Sequence, residues 1–203
     1  MRVAITGPSA AGKTTLADEL AQCLAASGRE VHRCEFDDFH RPGHKWRSVR
    51  GEWTGRLYYD EGYDYEAFRR LVLEPLGLHG SRRCRFSLFS SFLDQPMPET
   101  WTDVGETAVV VVDGGLLLHP AIGPSAWDQI IWVEVDEETL LARASLRDGA
   151  WGADPDPSAI SRRYEQYHLP CHRIYKAETG GQTLADVVVD NSDPSAPALT
   201  MTA

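Results

Sequence analysis

Eight residues near the start of the chain have the types and spacing of a phosphate-binding loop. Gly7-Pro8-Ser9-Ala10-Ala11-Gly12-Lys13-Thr14 matches GxxxxGK[ST] at every fixed position. In such a loop the glycines let backbone N–H groups face phosphate oxygens, the lysine reaches the β- and γ-phosphates, and the Thr hydroxyl ligates Mg²⁺. A glycine-rich turn with an incidental lysine is the alternative. It is disfavoured because a strand-like run over 2–6 stops at Gly7 and a helical pattern begins at Lys13. The expected contacts to ATP come from Gly7, Ser9, Ala10, Ala11, Gly12, Lys13, Thr14 and Thr15.

Acidic residues follow two further strand-like runs. The run over 30–35 leads to Asp37 and Asp38, and the apolar run over 108–112 ends at Asp113, before two glycines. Ligands of a doubly wound sheet gather at the carboxyl ends of its strands, so these acids are expected beside the phosphate loop. One carboxylate of the Asp pair can orient a hydroxyl and accept its proton, and Asp113 can hold Mg²⁺. A solvated turn or a helix N-cap is the structural alternative for these residues.

A phosphate-binding loop alone does not distinguish GTPase switches, transporter ATPases and small-molecule kinases. The NKxD motif that reads guanine in GTPases is absent from the sequence. Gly180-Gly181-Gln182 is a fragment of a transporter signature, but it lies too late in the chain for that role. The sequence therefore favours a kinase that acts on a small molecule.

Charge and composition exclude several classes of protein. The net charge is −10, and residues 101–203 hold 6 basic and 16 acidic residues, so a polyanionic nucleic acid is an unfavourable partner. No apolar run reaches the length of a membrane span, and no secretory signal is visible. The four cysteines form no CxxC pair. We expect a cytoplasmic protein, either a monomer or a homo-oligomer. The basic stretch over 41–56 is either a solvated loop or a patch for a small anion.

Strand-like and helix-like segments alternate along most of the chain. This order predicts an α/β fold, a three-layer sandwich whose mostly parallel sheet has about five strands. The stretch over 37–107 interrupts the alternation and is too long for a loop, which predicts a small inserted lobe that binds the acceptor. Residues 1–190 are expected to form one kinase domain, and residues 191–203 a flexible tail.

The ordered set of motifs resembles the uridine kinase family of P-loop kinases, which is grouped with phosphoribulokinase, pantothenate kinase and nicotinamide riboside kinase. The resemblance covers most of the chain, from about residue 2 to residue 189. Its motifs are GPSAAGKTT, EFDDFHRP, YDYEAFRRLVLEPL, VVVVDGGLLLHP and WVEVDEETLLARASLRD.

The resemblance implies roles for particular side chains. Asp37 resembles the family's catalytic acid, and Asp64 resembles an acid that holds sugar hydroxyls. His40 and Arg41, in the same motif as Asp37, are assigned to the acceptor as well. Lys13, Arg143 and Arg147 are the expected catalytic cations, with the two arginines leading into an ATP lid over 147–160. The expected Mg²⁺ ligands are Thr14, Asp113 and Asp37.

The sequence departs from the family pattern in two places. The second arginine pair of the lid is replaced by Trp151-Gly152-Ala153, and the Tyr-Asp of the nucleobase pocket by Phe89-Ser90. The expected reaction is transfer of the γ-phosphate of ATP to a primary hydroxyl of a ribonucleoside such as uridine or cytidine. Nicotinamide riboside, pantothenate or another polyol remains an alternative acceptor, and a nucleotide-binding regulatory protein with little turnover is the alternative of another class.

Overall fold

The alternating apolar runs form strands in the computed structural model, which describes residues 1–91, 93–150 and 157–202. In chain order the strands are β1 (Arg2–Thr6), β2 (Val31–Glu35), β3 (Arg83–Cys84), β4 (Phe89–Ser90), β5 (Gln95–Pro96), β6 (Thr102–Asp103), β7 (Val109–Gly114), β8 (Gln129–Glu134), β9 (Val187–Asp190) and β10 (Ala198–Met201). The longer strands form a sheet in the order β10-β9-β8-β1-β7-β2. Strands β3 to β6 pair as two short antiparallel ribbons, β3 with β6 and β4 with β5.

The main sheet is parallel except at one edge. Strand β1 lies between β7 and β8, and β10 runs antiparallel to β9. The side chains of β7 alternate between two cores: Val109 and Val111 pack on one face of the sheet, and Val110 and Val112 on the other. Both faces are therefore covered, as expected for a continuous apolar strand. The predicted α/β fold with a mostly parallel sheet is confirmed, with six strands rather than about five.

Helices cover both faces of this sheet. They are α1 (Lys13–Ala26), α2 (His44–Val49), α3 (Gly55–Glu61), α4 (Tyr65–Phe68), α5 (Glu137–Ala150), α6 (Pro157–Arg163) and α7 (Leu169–Thr179). A π-helical segment, Arg69–Leu73, continues α4, and a second one, Tyr164–His168, joins α6 to α7. Helices α1, α5 and α6 contribute to the core on one face, and α7 contributes Leu169 to that core and Cys171 and Tyr175 to the core on the other face.

Residues 37–107 fold as short helices and ribbons between β2 and β7. This lobe begins in a 3₁₀ turn, Phe36–Phe39, and contains α2, α3 and α4. Phe36, Phe39 and Phe68 are fully buried where the lobe meets the sheet, and their rings lie within 4.8–6.4 Å of one another. The lobe is thus joined to the sheet by an aromatic core directly beside Asp37.

Two elements differ from the sequence-based expectations. The pattern over 158–175 predicts a helix interrupted near Pro170, but the chain is helical on both sides of this residue. Pro170 directly follows the π-helical segment Tyr164–His168, where the regular hydrogen-bond ladder of an α-helix is already interrupted and a missing N–H is tolerated. The residues expected to form a flexible tail include strand β10, which pairs with β9 through four residue pairs. The open edge of β9 supplies unpaired backbone groups to this last strand.

Within the described residues, the structure has no helix that is both long enough and apolar enough to cross a membrane.

Candidate active site

The phosphate loop joins β1 to α1 and requires glycine at two positions. Gly7 has φ of +143°, and a Cβ there would overlap the carbonyl oxygen of Val133. Gly12 has φ of +94°, precedes the first turn of α1, and would bring a Cβ to 2.6 Å from Asn191 Nδ2. Both positions combine a positive φ with close neighbours, so side chains there would strain the loop. The helix N-terminus that follows is a favourable place for an anion.

Lys13 lies across this loop, within a cavity of about 730 Å³. Its Nζ donates a hydrogen bond to the Pro8 carbonyl oxygen at 2.6 Å. Burial lowers the pKa of Lys13 to about 8, although Asp37 and Asp113 favour its charged form. Of the residues expected to contact ATP, Ala11 is buried and is not among the described residues that line the cavity. The loop residues that line the cavity are Gly7, Pro8, Ser9, Ala10, Gly12, Lys13, Thr14 and Thr15.

Thr14 and Asp113 place two side-chain oxygens next to each other at the carboxyl end of β7. The Thr14 hydroxyl donates to Asp113 Oδ2 at 2.7 Å, and Arg33 Nη1 lies 2.9 Å from Asp113 Oδ1. Within the described residues, Asp113 Oδ1 is a buried atom that accepts no aligned hydrogen bond. No group of three or more His, Cys, Asp and Glu in those ranges is arranged around a metal position. Mg²⁺ commonly takes one or two protein oxygens and completes its shell with water and phosphate, so this pair fits it.

Asp37 lies in the 3₁₀ turn after β2 and lines the same cavity. Burial raises the pKa of Asp37, but the opposing effects are larger and hold this pKa below its ordinary value. They come from His40, from Lys13, from a hydrogen bond that Tyr63 donates, and from Arg147. The carboxylate is therefore charged at neutral pH and able to accept a proton. Its neighbour Asp38 is not among the cavity-lining residues that the structure describes.

The lobe side of the cavity is lined by rings. His40 and His44 have ring centroids 4.2 Å apart, and Tyr58 lies 5.5 Å from His44 and 5.4 Å from His168. Burial is the main cause that lowers the histidine pKa values, to about 2 for His44 and about 3 for His168, and it lowers that of His40 as well. These imidazoles are neutral at neutral pH. Among the described lining residues, the charged ones are Lys13, Glu35, Asp37, Asp113, Arg143 and Arg147.

Two arginines of α5 reach the cavity with different partners. Arg143 Nη2 donates to the backbone oxygens of Asn191 and Ser192 at 2.7 and 3.1 Å. Arg147 Nη2 donates to Tyr164 Oη at 2.9 Å, and this hydroxyl is 3.1 Å from Ser9 Oγ. Arg147 is thus linked to the phosphate loop through one phenol.

Asp64 and Arg41 lie outside the described lining of the cavity. Asp64 is the N-cap of α4, where its Oδ1 accepts from the Ala67 N–H at 2.9 Å. Arg41 is exposed and its Nε donates to the Tyr63 carbonyl at 3.2 Å. Further along the basic stretch, Arg56 pairs with Asp60. The geometry gives Asp64 a structural role, and it favours a solvated loop over an anion patch for the basic stretch.

Several residues that line the cavity or contact its phosphate loop had no signal in the sequence. Tyr58 and Tyr63 occur at helical and turn positions where aromatic residues usually fill a core. Asn191 lies in the segment expected to be flexible, yet its Nδ2 donates to the Ala11 carbonyl at 2.8 Å. The lid expected over 147–160 includes residues 151–156, which lie outside the described residues.

No protein-family model and no curated protein sequence matches the chain. Solved structures do match. A candidate uridine kinase from Bacillus stearothermophilus has a TM-score of 0.70 and 17% identity, over 93% of this chain and 87% of that chain. A candidate fructose transport system kinase from Silicibacter sp. TM1040 has a TM-score of 0.66 and 27% identity, over 87% and 84%. Phosphoribulokinase from Rhodobacter spheroides has a TM-score of 0.61 and 14% identity, over 93% and 68%.

The fold is therefore that of the P-loop kinases. The structural neighbours are uridine kinase-like and phosphoribulokinase-type enzymes, which confirms the sequence resemblance at the level of the fold. These neighbours are kinases of small molecules, and they differ in the acceptor that their names give.

Proposed function

We propose that the protein is an ATP- and Mg²⁺-dependent kinase that phosphorylates a hydroxyl group of a small molecule without negative charge. The observation that carries the proposal is the convergence of Lys13, Asp37 and the Thr14–Asp113 pair on one cavity. These residues supply a phosphate contact, a proton acceptor and oxygen ligands for a cation. Phosphoryl transfer depends mainly on positioning and on charge stabilisation, and this set of groups provides both.

The loop and Lys13 are proposed to bind the phosphates of ATP. Lys13 would exchange its hydrogen bond with the Pro8 carbonyl for phosphate oxygens. Thr14 and Asp113 would hold Mg²⁺, which when bound neutralises charge on the phosphates. Arg147 would stabilise negative charge on the transferred group, and Arg143 would hold the residues after β9 against the loop.

Asp37 is proposed to orient the acceptor hydroxyl and to take its proton. The carboxylate faces the cavity, and its charged form is favoured by Lys13 and Arg147. A proton acceptor placed at a hydroxyl typically accelerates such a transfer by about 10²–10⁴-fold. Asp37 is also kept as a proposed Mg²⁺ contact beside Asp113.

The ring-lined side of the cavity supports an acceptor that has a flat group and no negative charge. Neutral imidazoles and phenols offer stacking faces and hydrogen bonds. An acceptor that carries a phosphate or a carboxylate would need a cation, and the lining arginines belong to α5, where they serve the phosphate loop and the strand ends. We therefore propose a ribonucleoside such as uridine or cytidine, with nicotinamide riboside as the second candidate because its ring is also flat.

The test is ADP release from ATP and Mg²⁺ with a panel of acceptors. The panel contains uridine, cytidine, nicotinamide riboside, pantothenate and ribulose 5-phosphate, together with fructose because of the neighbour's name. We expect turnover with a nucleoside and little with the two anions, and Asp37→Asn as the matched inactive control. Turnover with pantothenate or ribulose 5-phosphate would contradict an acceptor without negative charge. ATP binding without turnover on any acceptor would favour the regulatory alternative.

A further inference from the structure

Asp37 is held by a tyrosine that the sequence does not mark as functional. Tyr63 Oη is 2.9 Å from Asp37 Oδ1. A carboxylate oxygen can only accept, so the phenol donates. Tyr63 is buried, and its ring stacks on Phe36 with centroids 4.4 Å apart and planes 12° apart. The hydroxyl therefore has one fixed position from which it can reach Asp37.

The backbone around Tyr63 is tied to the segment that carries Asp37. His40 and Tyr63 form an antiparallel bridge. Arg41 N–H donates to the Gly62 carbonyl at 3.1 Å, and Asp64 N–H donates to the Phe39 carbonyl at 2.8 Å. The tyrosine and the aspartate are thus carried by two strands of chain that cannot shift independently.

Two further side chains lie behind Tyr63. His40 Nε2 is 3.0 Å from Tyr58 Oη, and because the neutral imidazole carries its proton on Nδ1, the Tyr58 hydroxyl donates to Nε2. Tyr58 Oη is also 3.3 Å from Tyr63 Oη, a contact without a shared hydrogen, since both hydroxyls donate elsewhere. His40 Nδ1 is 2.7 Å from the backbone oxygen of Asp37, and because a carbonyl only accepts, this nitrogen donates. Asp37 is consequently held at its side chain by Tyr63 and at its backbone by His40.

One carboxylate oxygen is occupied by this contact and the other is left for a substrate. We propose that Tyr63 is a positioning residue, which fixes the rotamer of Asp37 and reserves its Oδ2 for the acceptor hydroxyl. This rests on the proposed function, since that function makes Asp37 the proton acceptor. Tyr63 donates to Asp37 and not to the acceptor, so its hydroxyl acts on kcat rather than on acceptor binding.

Tyr63→Phe keeps the ring on Phe36 and removes only the donor. We expect kcat to fall about 10-fold, which corresponds to about 1.4 kcal/mol of transition-state stabilisation, with KM for ATP and for the acceptor changed less than about 2-fold. Tyr65→Phe is the matched control. Tyr65 donates to the Tyr59 carbonyl at 2.7 Å, lies near Phe36, and has no hydrogen bond to Asp37, so its variant should keep the wild-type kcat.

A double-mutant cycle separates positioning from general damage. In an Asp37→Asn background, Tyr63→Phe should cost little further activity, because both substitutions remove the same arrangement. A full 10-fold loss in that background, an unchanged kcat in Tyr63→Phe alone, or a loss expressed in KM would each overturn the proposal.

Crystal structures of the wild type, Tyr63→Phe and Tyr65→Phe provide a readout that does not need turnover. We expect the Asp37 carboxylate to leave its rotamer, or to occupy several, in Tyr63→Phe alone. An Asp37 that keeps its position in Tyr63→Phe would overturn the proposal even in an active enzyme. A wild type without kinase activity would instead contradict the proposed function, while the crystal structures would still decide the role of Tyr63.

Discussion

Adjacent acids after β2 face different environments, and of the two only Asp37 is among the described residues that line the cavity. Asp37 lines the cavity and has a lowered pKa, whereas burial and the charges of Asp37 and Asp113 raise the pKa of Asp38 to about 6. Asp37→Asn should lower kcat by about 10²–10⁴-fold with little change in KM for ATP. Asp38→Asn should be much milder. Steady-state rates at saturating ATP and acceptor check this, and a severe Asp38 defect beside a near-normal Asp37 variant would reverse the assignment.

Lys13 gives the phosphate loop a pH dependence. Its pKa of about 8 applies to the loop without phosphates, whose negative charge would raise it. Because ATP prefers the charged amine, the Kd for ATP should rise as pH increases above 8, by up to about tenfold per unit. Lys13→Ala should abolish turnover, leave the fold intact and flatten this dependence. Calorimetric titration from pH 7 to pH 9.5 measures it, and Lys45→Ala, on the exposed side of α2, is the control.

Asp64 caps helix α4, and the sequence also predicts that it contacts the acceptor. Two substitutions separate these roles. Asp64→Ala removes the cap of α4 and should cost about 1 kcal/mol in the free energy of unfolding. Asp64→Ser keeps a capping oxygen and should restore most of that stability. We expect the acceptor KM of Asp64→Ser to equal that of the wild type. A large increase in this KM with normal stability would show that Asp64 does hold the acceptor.

At the scale of residues, the sequence was informative where chemistry demands a fixed order. The phosphate loop could be predicted because each of its positions has a physical reason, and Asp113 because it ends a buried run. The choice of Asp37 over Asp38 came from the resemblance alone, since both faces of a central strand can be covered. Tyr63 could not be predicted, because a buried tyrosine beside other aromatic residues has the same pattern as core filling.

Helix α5 and the π-helical segment Tyr164–His168 meet at Arg147. π-Helical turns are often found at functional sites, and this one directs the Tyr164 hydroxyl to both Arg147 and Ser9. Arg147→Ala should lower kcat by about 10²-fold, as expected for the loss of a cation at a transferred phosphoryl group. Arg173→Ala removes an exposed ion pair with Glu137 and is the control. Rapid-quench measurement of the chemical step checks this, and an unchanged rate would transfer the role to Arg162 or Arg163.

At the scale of elements, long periodic segments could be predicted and short ones could not. Strands β1, β2, β7, β8 and β9 and helices α1 and α5 follow clear hydrophobic patterns. The ribbons β3 to β6 have two residues per strand, too few to show an alternation. Strand β10 carries no buried residue, and it exists because the edge of β9 pairs with it rather than because of its own composition.

The whole molecule brings the two ends of the described chain together at the phosphate loop. Asn191 donates to Ala11, and Arg143 holds the Asn191 backbone from α5. Asn191→Ala should raise KM for ATP about 5-fold, which corresponds to the loss of about 1 kcal/mol from one hydrogen bond, with a smaller change in kcat. Ser195→Ala, in the exposed turn with Asp193, should leave both constants unchanged. Equal KM values in the two variants would show that the contact does not support the loop.

The separation of these residues along the chain determines when the contact can form during synthesis. Strand β1 leaves the ribosome before both of its neighbours and Asn191, which follow more than 100 residues later. At about 5–20 residues per second, the loop waits roughly 10–40 s for its last partner. Pairings between such distant segments form slowly, and an apolar strand without neighbours is prone to aggregation in that interval. ATP can therefore stabilise the folded protein by mass action, but it cannot assist the earliest steps of folding.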